Sequence, residues 1–118
     1  MLNLNHKNLD VWKLSMNLIS VIYSLLKSYP KEELYGLSSQ MRRAVVSIAS
    51  NIAEGASRKS GTERKRFYEI SRSSLIELDT QLEISLRLNY ISNESINNLE
   101  DLVNHIFAMI AKLIEKTE

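Results

Sequence analysis

The sequence predicts an all-α protein, an antiparallel up-down-up-down bundle of four helices, from three observations. Glycine and proline are rare, with three and one in 118 residues, whereas a chain of many short strands needs frequent turns. Apolar side chains recur at helical spacing through four long segments. The connections between these segments are short, which makes consecutive helices antiparallel neighbours. At 13.6 kDa the chain, residues 1–118, has room for one domain only.

The first helix is predicted over about residues 9–27 and ends before Pro30, which disfavours helical geometry at the preceding residue. Its polar residues form one narrow stripe, so it carries two apolar faces where a bundle helix needs one. Either it lies centrally in a tight bundle or its second face contacts another subunit. Because a four-helix bundle has no central helix, we favour an oligomer interface. The predicted interface residues are Trp12, Met16, Ile19, Tyr23 and Leu26.

The second helix is predicted over about residues 34–55, with a start between Lys31 and Ser38 and an end near Gly55, a typical C-terminal cap residue. Positions at heptad spacing form its predicted core seam. They are Leu34, Leu37, Met41, Ala44, Ile48, Asn51 and Gly55.

The third and fourth helices are predicted over about residues 62–88 and 93–116. The third opens with a capping box, in which Ser60 covers a free amide and Glu63 reaches back. It ends near Leu88, and Asn89 can take the left-handed cap conformation. The fourth opens at Ser92 or Asn93. Its predicted core stripe comprises Ile96, Leu99, Val103, Ile106, Ile110 and Leu113.

Charge is segregated along the chain although the net charge is only +1. Residues 40–75 carry eight basic and three acidic side chains, and residues 76–118 carry three basic and eight acidic ones. Five basic residues cluster around the second turn, and we call them the basic corner: Arg58, Lys59, Arg64, Lys65 and Arg66. Free amides at the start of the third helix also attract anions, so this is a candidate phosphate site, which Arg42, Arg43 and Arg72 extend. The alternatives are a solvated tip, or pairing with the acidic half of a neighbouring subunit.

The side chains that catalysis or metal binding would need are missing. Without cysteine there are no disulfides, thiolate metal sites or cysteine nucleophiles. No Glu-x-x-His, Gly-x-Ser-x-Gly or phosphate-loop motif occurs. His105 follows Asp101 by four residues, but one such pair is a weak metal signal, and His6 lies in a tail. We therefore expect no enzyme activity, no cofactor and no metal. With neither an export signal nor a membrane-spanning apolar run, we expect a cytoplasmic protein.

One stretch of the second helix resembles a known family. Residues 47–55 read Ser-Ile-Ala-Ser-Asn-Ile-Ala-Glu-Gly and are followed by Arg58. In this helical context they resemble the four-helix-bundle family of 23S rRNA intervening-sequence proteins. The likeness covers about residues 9–91. It includes Leu9-Asp10-Val11-Trp12, Pro30-Lys31-Glu32-Glu33 and Arg72-Ser73-Ser74, where Ser73 replaces a glycine that is frequent in the family.

The resemblance implies a left-handed antiparallel bundle that assembles as a homopentamer and has no enzymatic activity. Some members of the family are encoded within insertions of large-subunit rRNA genes, and most stand alone. A related branch comprises the accessory variability proteins of retroelements, which work with nucleic acid. Within the motif we favour an architectural role over a binding site, because Asn51 lies on the core seam. Glu54 precedes Arg58 by four residues, a good spacing for an ion pair. Gly55 ends the helix or lets the next helix approach. The motif residues are Asn51, Ile52, Ala53, Glu54 and Gly55.

The functional prediction is a non-enzymatic, homo-oligomeric scaffold that binds nucleic acid, RNA in preference to DNA. In this hypothesis the side chains of the basic corner contact phosphates. A ring of subunits repeats these contacts and so increases the affinity for the nucleic acid. The alternative is a protein-interaction module without a nucleic-acid role, in which the basic corner docks an acidic partner or the acidic fourth helix a basic one. A third hypothesis, a small-molecule binder, needs a cavity in the bundle core.

Overall fold

Four long α-helices and no β-strand make up the fold, in a computed structural model that describes all 118 residues. The helices are α1 (Asp10–Leu26), α2 (Leu37–Ala56), α3 (Gly61–Arg87) and α4 (Asn93–Lys116). Two short 3-10 helices, Asn5–Asn8 and Lys31–Glu33, precede α1 and α2. None of the helices combines the length and the apolar character that a membrane span requires. The prediction of an all-α chain with four helices is confirmed.

The ends of α3 and α4 follow local sequence signals. Ser60 Oγ accepts a hydrogen bond from the Glu63 N–H at 3.1 Å, although the Glu63 carboxylate makes no bond back, so half of the predicted capping box is present. Ser92 Oγ caps α4 in the same way, at 3.2 Å from the Ser95 nitrogen. Asn89 follows α3 with φ 61° and is the only residue with a positive φ. This is the left-handed cap conformation that its position predicts.

The start of α2 lies within the predicted interval between Lys31 and Ser38, but later than its approximate position. The expected start is about residue 34, whereas α2 begins at Leu37. The preceding residues form the 3-10 helix Lys31–Glu33, and the Glu33 carboxylate turns back to accept a hydrogen bond from the Leu37 N–H at 3.2 Å. Since a helix leaves its first amides without intrahelical partners, this bond caps α2 and fixes its first residue.

Each helix packs against two neighbours around a common core. α1 and α3 each adjoin both α2 and α4, while α1 does not adjoin α3 and α2 does not adjoin α4. The molecule measures 43 × 26 × 20 Å along its principal axes. Each fully buried Leu or Ile stabilises the folded chain by about 1.5–3 kcal/mol over an exposed one. The largest fully buried apolar side chains are Leu18, Ile22, Met41, Ile48, Ile52, Leu75, Leu78, Ile106 and Ile110.

α1 is partly exposed and does not occupy the centre of the molecule. Its buried positions are Val11, Ser15, Leu18, Ile22 and Leu26. On the other sides of the helix, Met16 and Tyr23 are each 42% exposed and Val21 is 41% exposed. The alternative of a centrally placed first helix is therefore wrong. α1 has one core face and a second apolar face that reaches the surface of the chain.

The closest helix packing joins α2 to α3, and small residues permit it. Gly55 is buried, and a Cβ atom built on it would lie 2.7 Å from Cε1 of Tyr68. Ser71 is also buried, and its hydroxyl donates to the Ile48 carbonyl across the interface at 2.8 Å. α2 continues past Gly55 to Ala56, so the role observed for this glycine is the close approach of the next helix.

Candidate nucleic-acid interface

The basic corner lies at the end of the molecule where a four-residue loop, residues 57–60, joins α2 to α3. Arg58 and Lys59 lie in that loop, and Arg64, Lys65 and Arg66 lie in the first two turns of α3. The structure therefore brings together the five residues that the sequence groups. Their side chains differ in how many partners they have within the chain.

Arg58 is held in place by two contacts. Its Nη2 lies 3.5 Å from Glu54 Oε2, and its guanidinium carbon lies 4.7 Å from the centre of the Phe67 ring. The predicted Glu54–Arg58 ion pair is present. Both side chains are largely exposed, so this pair contributes little to stability in water. Its main effect is to restrict Arg58 and to neutralise part of its charge.

Arg64 turns back to the loop and stabilises it. Its Nη1 donates to the carbonyls of Arg58 at 3.1 Å and Lys59 at 2.7 Å. These carbonyls follow the end of α2, where backbone acceptors lack helical partners. One turn further along α3, burial raises the pKa of the Tyr68 hydroxyl, although the nearby Arg64 charge acts in the opposite direction. The Arg64 side chain fixes the path of the loop and is not free to follow a ligand.

Lys59, Lys65 and Arg66 keep their charges free of ion pairs. The only ion pair within the chain is that of Arg58 with Glu54, and none of the three makes a side-chain hydrogen bond. Lys59 and Arg66 are exposed, and Lys65 is half-buried. Of the five residues in the basic corner, these three are the cations that remain available to an anion in solution.

The three arginines predicted to extend the corner are dispersed. Arg72 lies two turns after Lys65 and therefore on the same side of α3, so it continues the basic surface along that helix. Arg42 and Arg43 lie near the start of α2, about 18 Å along the helix axis from Gly55 at its other end. The geometry does not bring these two residues to the corner. Arg42 instead donates from Nη2 to the Leu34 carbonyl at 3.2 Å.

The motif in the second half of α2 links that helix to α3. Asn51 Nδ2 donates to the Ser47 carbonyl at 2.8 Å and to the Ser47 hydroxyl at 2.9 Å, and this hydroxyl lies 2.8 Å from that of Ser74 on α3. Asn51 is half-buried rather than fully enclosed. These bonds position the Ser47 hydroxyl for its contact with Ser74. They satisfy polar groups at the interface between α2 and α3 and fix how the two helices align.

The other motif residues divide between core and surface. Ile52 is fully buried in the core, Ala53 is half-buried and Glu54 is exposed beside Arg58. Together with Gly55 against Tyr68, these contacts give the motif packing and capping partners within the chain. They support the architectural interpretation that we favour from the sequence.

The predicted interface residues of α1 lie on a stripe that is partly exposed. Met16 and Tyr23 are each 42% exposed, while Trp12 and Ile19 are half-buried against the core. Leu26 differs from the prediction, because it is only 7% exposed and belongs to the core. Leu26 lies one turn of helix after Tyr23. Helical spacing alone does not show which residues of such a stripe are covered by the rest of the chain.

A polar cluster at the other end of the molecule is absent from the sequence prediction. The Tyr90 hydroxyl donates to Glu33 Oε2 at 2.8 Å, while the other carboxylate oxygen of Glu33 caps Leu37. These two bonds lower the pKa of Glu33, and the same carboxylate raises the pKa of Tyr90. The ring of Tyr90 also contacts that of Tyr29, with centroids 5.4 Å apart. No short-range sequence signal connects residues 33 and 90.

The two histidines do not form a metal site. His105 is exposed on α4, and no group of three or more His, Cys, Asp or Glu side chains in the chain could hold a metal ion. His6 was expected to lie in a tail, but it is only 9% exposed and meets the Trp12 ring edge-on at 5.1 Å. This contact fastens the N-terminal segment to the start of α1.

Comparisons with known proteins identify the fold and the family. No curated protein matches the chain. A solved structure from Bacteroides thetaiotaomicron, described as a protein of unknown function from the S23 ribosomal protein family, has a TM-score of 0.79 to this chain. The two are 22% identical, and the match covers 90% of this chain and 99% of the other, so it establishes a shared fold. The model of the 23S rRNA-intervening sequence protein family matches residues 7–112. The chain therefore belongs to the family of 23S rRNA-intervening sequence proteins.

Proposed function

We propose that this protein is a non-enzymatic, cytoplasmic scaffold that self-assembles and binds the phosphate backbone of RNA through the basic corner. The observation that carries the proposal is the presence of three cations without ion pairs, Lys59, Lys65 and Arg66, at one end of the chain. Lys59 lies on a loop that Arg64 and Arg58 hold in one conformation, and Lys65 and Arg66 lie in the first two turns of α3. A fixed backbone beneath these cations suits phosphate binding, because the loop does not have to be ordered when the ligand binds.

The proposal includes an up-down-up-down antiparallel arrangement of the four helices. The cross-interface contacts of α2 with α3 support it, since residue numbers rise along one helix as they fall along the other. Gly55 approaches Tyr68, Ile48 is bonded to Ser71, and Met41 lies beside Ser85. The short connections between the remaining helices support the same arrangement for α1 and α4.

Self-assembly, as a homopentamer, is the second part of the proposal. The partly exposed apolar stripe of α1 supports it, because side chains such as Met16 and Tyr23 gain stability when another copy covers them. Five copies of a weak phosphate site would bind a long RNA far more tightly than one copy. The mass of the protein in solution tests this part independently of RNA binding.

RNA binding is tested by fluorescence anisotropy with a labelled structured RNA and a duplex DNA of equal length, at about 50 and 200 mM salt. The variant Lys59→Ala/Lys65→Ala/Arg66→Ala removes the three free cations. We expect it to weaken RNA binding at least tenfold at low salt. We also expect the slope of log K against log salt to fall by about 2–3, as the loss of three phosphate contacts requires.

A matched control removes the same charge elsewhere. Lys27, Lys31 and Arg87 are exposed and lie at the opposite end of the molecule from the corner, so their triple alanine variant changes net charge equally. We expect this control to bind RNA within about twofold of the unchanged protein. Equal losses in both variants would show a net-charge effect and would overturn the assignment of the corner. No binding at low salt by the folded protein would overturn the nucleic-acid function.

A protein-interaction module is the second candidate function. The observation that favours it is the acidic half of the chain, since none of the eight acidic side chains in residues 76–118 forms an ion pair within the molecule. Competition distinguishes the two candidates. If poly-glutamate displaces labelled RNA from the corner as effectively as unlabelled RNA does at equal charge, an acidic protein becomes the better candidate for the partner.

A further inference from the structure

A wide groove crosses the outer side of α2, away from the basic corner. It encloses about 740 Å³ and is open to solvent. Gln40, Arg43, Val46 and Ser47 of α2 line it, and Tyr23 of α1 and Glu77 of α3 are among the residues at its sides. The groove is where Arg42 and Arg43, the two basic residues that the structure separates from the corner, come to lie.

The lining of the groove is mixed rather than purely basic. Among the lining residues, Tyr23 and Val46 are 42% and 39% exposed and Glu77 is acidic. The Glu77 carboxylate would repel the phosphates of a nucleic acid. The exposed apolar side chains would gain no stability from contact with phosphates. A protein surface with its own acidic and apolar groups fits this lining better than a nucleic acid does.

The outer side of α4 has the complementary character. Glu94 and Asp101 are exposed, and because they are seven residues apart they lie on one side of the helix, about 10 Å from each other along its axis. Neither acidic residue has an ion-pair partner within the chain.

The two surfaces cannot meet within one molecule. α2 and α4 do not adjoin, since α1 and α3 lie between them around the core, so their outer sides face opposite ways. The chain contains 15 basic and 14 acidic side chains, yet only one ion pair forms within it. Exposed charges without a partner in the chain are available to another molecule, and a second copy offers both surfaces.

We propose that the groove on α2 binds the outer side of α4 of a second copy of this chain, with Arg43 paired to Asp101 across the interface. This inference rests on the self-assembly part of the proposed function, and of the exposed α1 stripe it uses Tyr23, which lines the groove. Two different surfaces meet, so the contact is heterologous, and repeated copies form a closed ring when the rotation closes. Phosphate binding at the basic corner does not depend on it, because the corner lies at the far end of α2.

The test is sedimentation equilibrium of the purified full-length chain at about 50 mM salt, with the single variants Arg43→Glu and Asp101→Arg. Both residues are exposed and neither makes an intrachain hydrogen bond or ion pair, so both variants should fold. We expect each single variant to raise the dissociation constant of the assembly at least tenfold, because each places like charges opposite each other. The double variant Arg43→Glu/Asp101→Arg restores opposite charges and should recover assembly.

Control variants reverse exposed charges outside the two surfaces. Arg87→Glu and Glu83→Arg change net charge by the same amounts and should assemble as the unchanged protein does. If the unchanged protein is a monomer at all concentrations, self-assembly itself is wrong. If it assembles and Arg43→Glu and Asp101→Arg do so equally well, assembly stands but this interface is overturned. Failure of the double variant to recover would overturn the pairing of Arg43 with Asp101.

Discussion

Replacing Gly55 by alanine places a methyl group where α2 and α3 leave no room for one. The added Cβ would lie 2.7 and 2.9 Å from two ring carbons of Tyr68 and 3.1 Å from Cβ of Phe67. Carbon atoms in contact normally lie about 3.5–4.0 Å apart. The Tyr68 ring is only 4% exposed, so it has little space into which to move. Either the ring or the helix backbone must shift.

The expected change in the free energy of unfolding follows from two opposing effects. Overpacking of this kind costs about 1–3 kcal/mol. Alanine favours a helix interior over glycine by up to about 1 kcal/mol, and by less near a helix end. We expect Gly55→Ala to lower the free energy of unfolding by about 1 kcal/mol in net terms. For a chain of this size that corresponds to a fall in Tm of about 4 °C.

Thermal and urea unfolding followed by circular dichroism, at one protein concentration, measure this effect. Ser50 is exposed in the middle of α2 and provides the matched control, because Ser50→Ala and Ser50→Gly differ only in helix propensity. There we expect alanine to be the more stable by about 1 kcal/mol. If alanine at position 55 stabilises the protein as it does at position 50, the close approach of α2 to α3 is not a constraint and the reasoning fails.

Two further predictions concern buried and bridging polar groups. Ser71→Ala removes the donor to the Ile48 carbonyl, so we expect the free energy of unfolding in urea to fall by about 1 kcal/mol; an unchanged midpoint would contradict this. The pKa of Glu33 is lowered in the folded chain by the Tyr90 hydroxyl and the Leu37 N–H. The stability that the ionised Glu33 contributes is therefore fully present above the ordinary glutamate pKa. It is lost as the pH falls through the pKa that Glu33 has in the folded chain. We expect Glu33→Gln to reduce the loss of stability in acid, and identical pH profiles for the two proteins would count against this role.

Local signals made the helix ends predictable. Ser60 and Ser92 bond to amides three residues ahead, and Asn89 needs only its own backbone conformation, so a short window contains the whole cause. The start of α2 was less predictable because it depends on Glu33, whose second partner, Tyr90, is 57 positions away. A single sequence gives no sign of a contact over that separation.

For the basic corner, too, a single sequence predicts only part of the structure. The grouping of the five basic residues can be predicted from the sequence, because a short loop keeps them together. Their individual roles cannot, because these depend on the path of that loop. Arg64 bonds to two loop carbonyls and is committed to structure, while Lys65 beside it is not. Likewise, periodicity finds two apolar faces on α1 without showing that Leu26 lies in the core and Tyr23 at the surface.

The tight pairing of α2 with α3 also bears on the order in which the chain folds. Only residues 57–60 separate the two helices, so their contacts form by closing a very short loop, at little entropic cost. Contacts of α1 with α4 join residues from opposite ends of the sequence and carry the largest closure cost. We expect the α2–α3 hairpin to nucleate folding, so that Ser71→Ala slows refolding and leaves the unfolding rate almost unchanged in stopped-flow kinetics. A nascent chain would then hold most of the family motif in native form before α4 is complete.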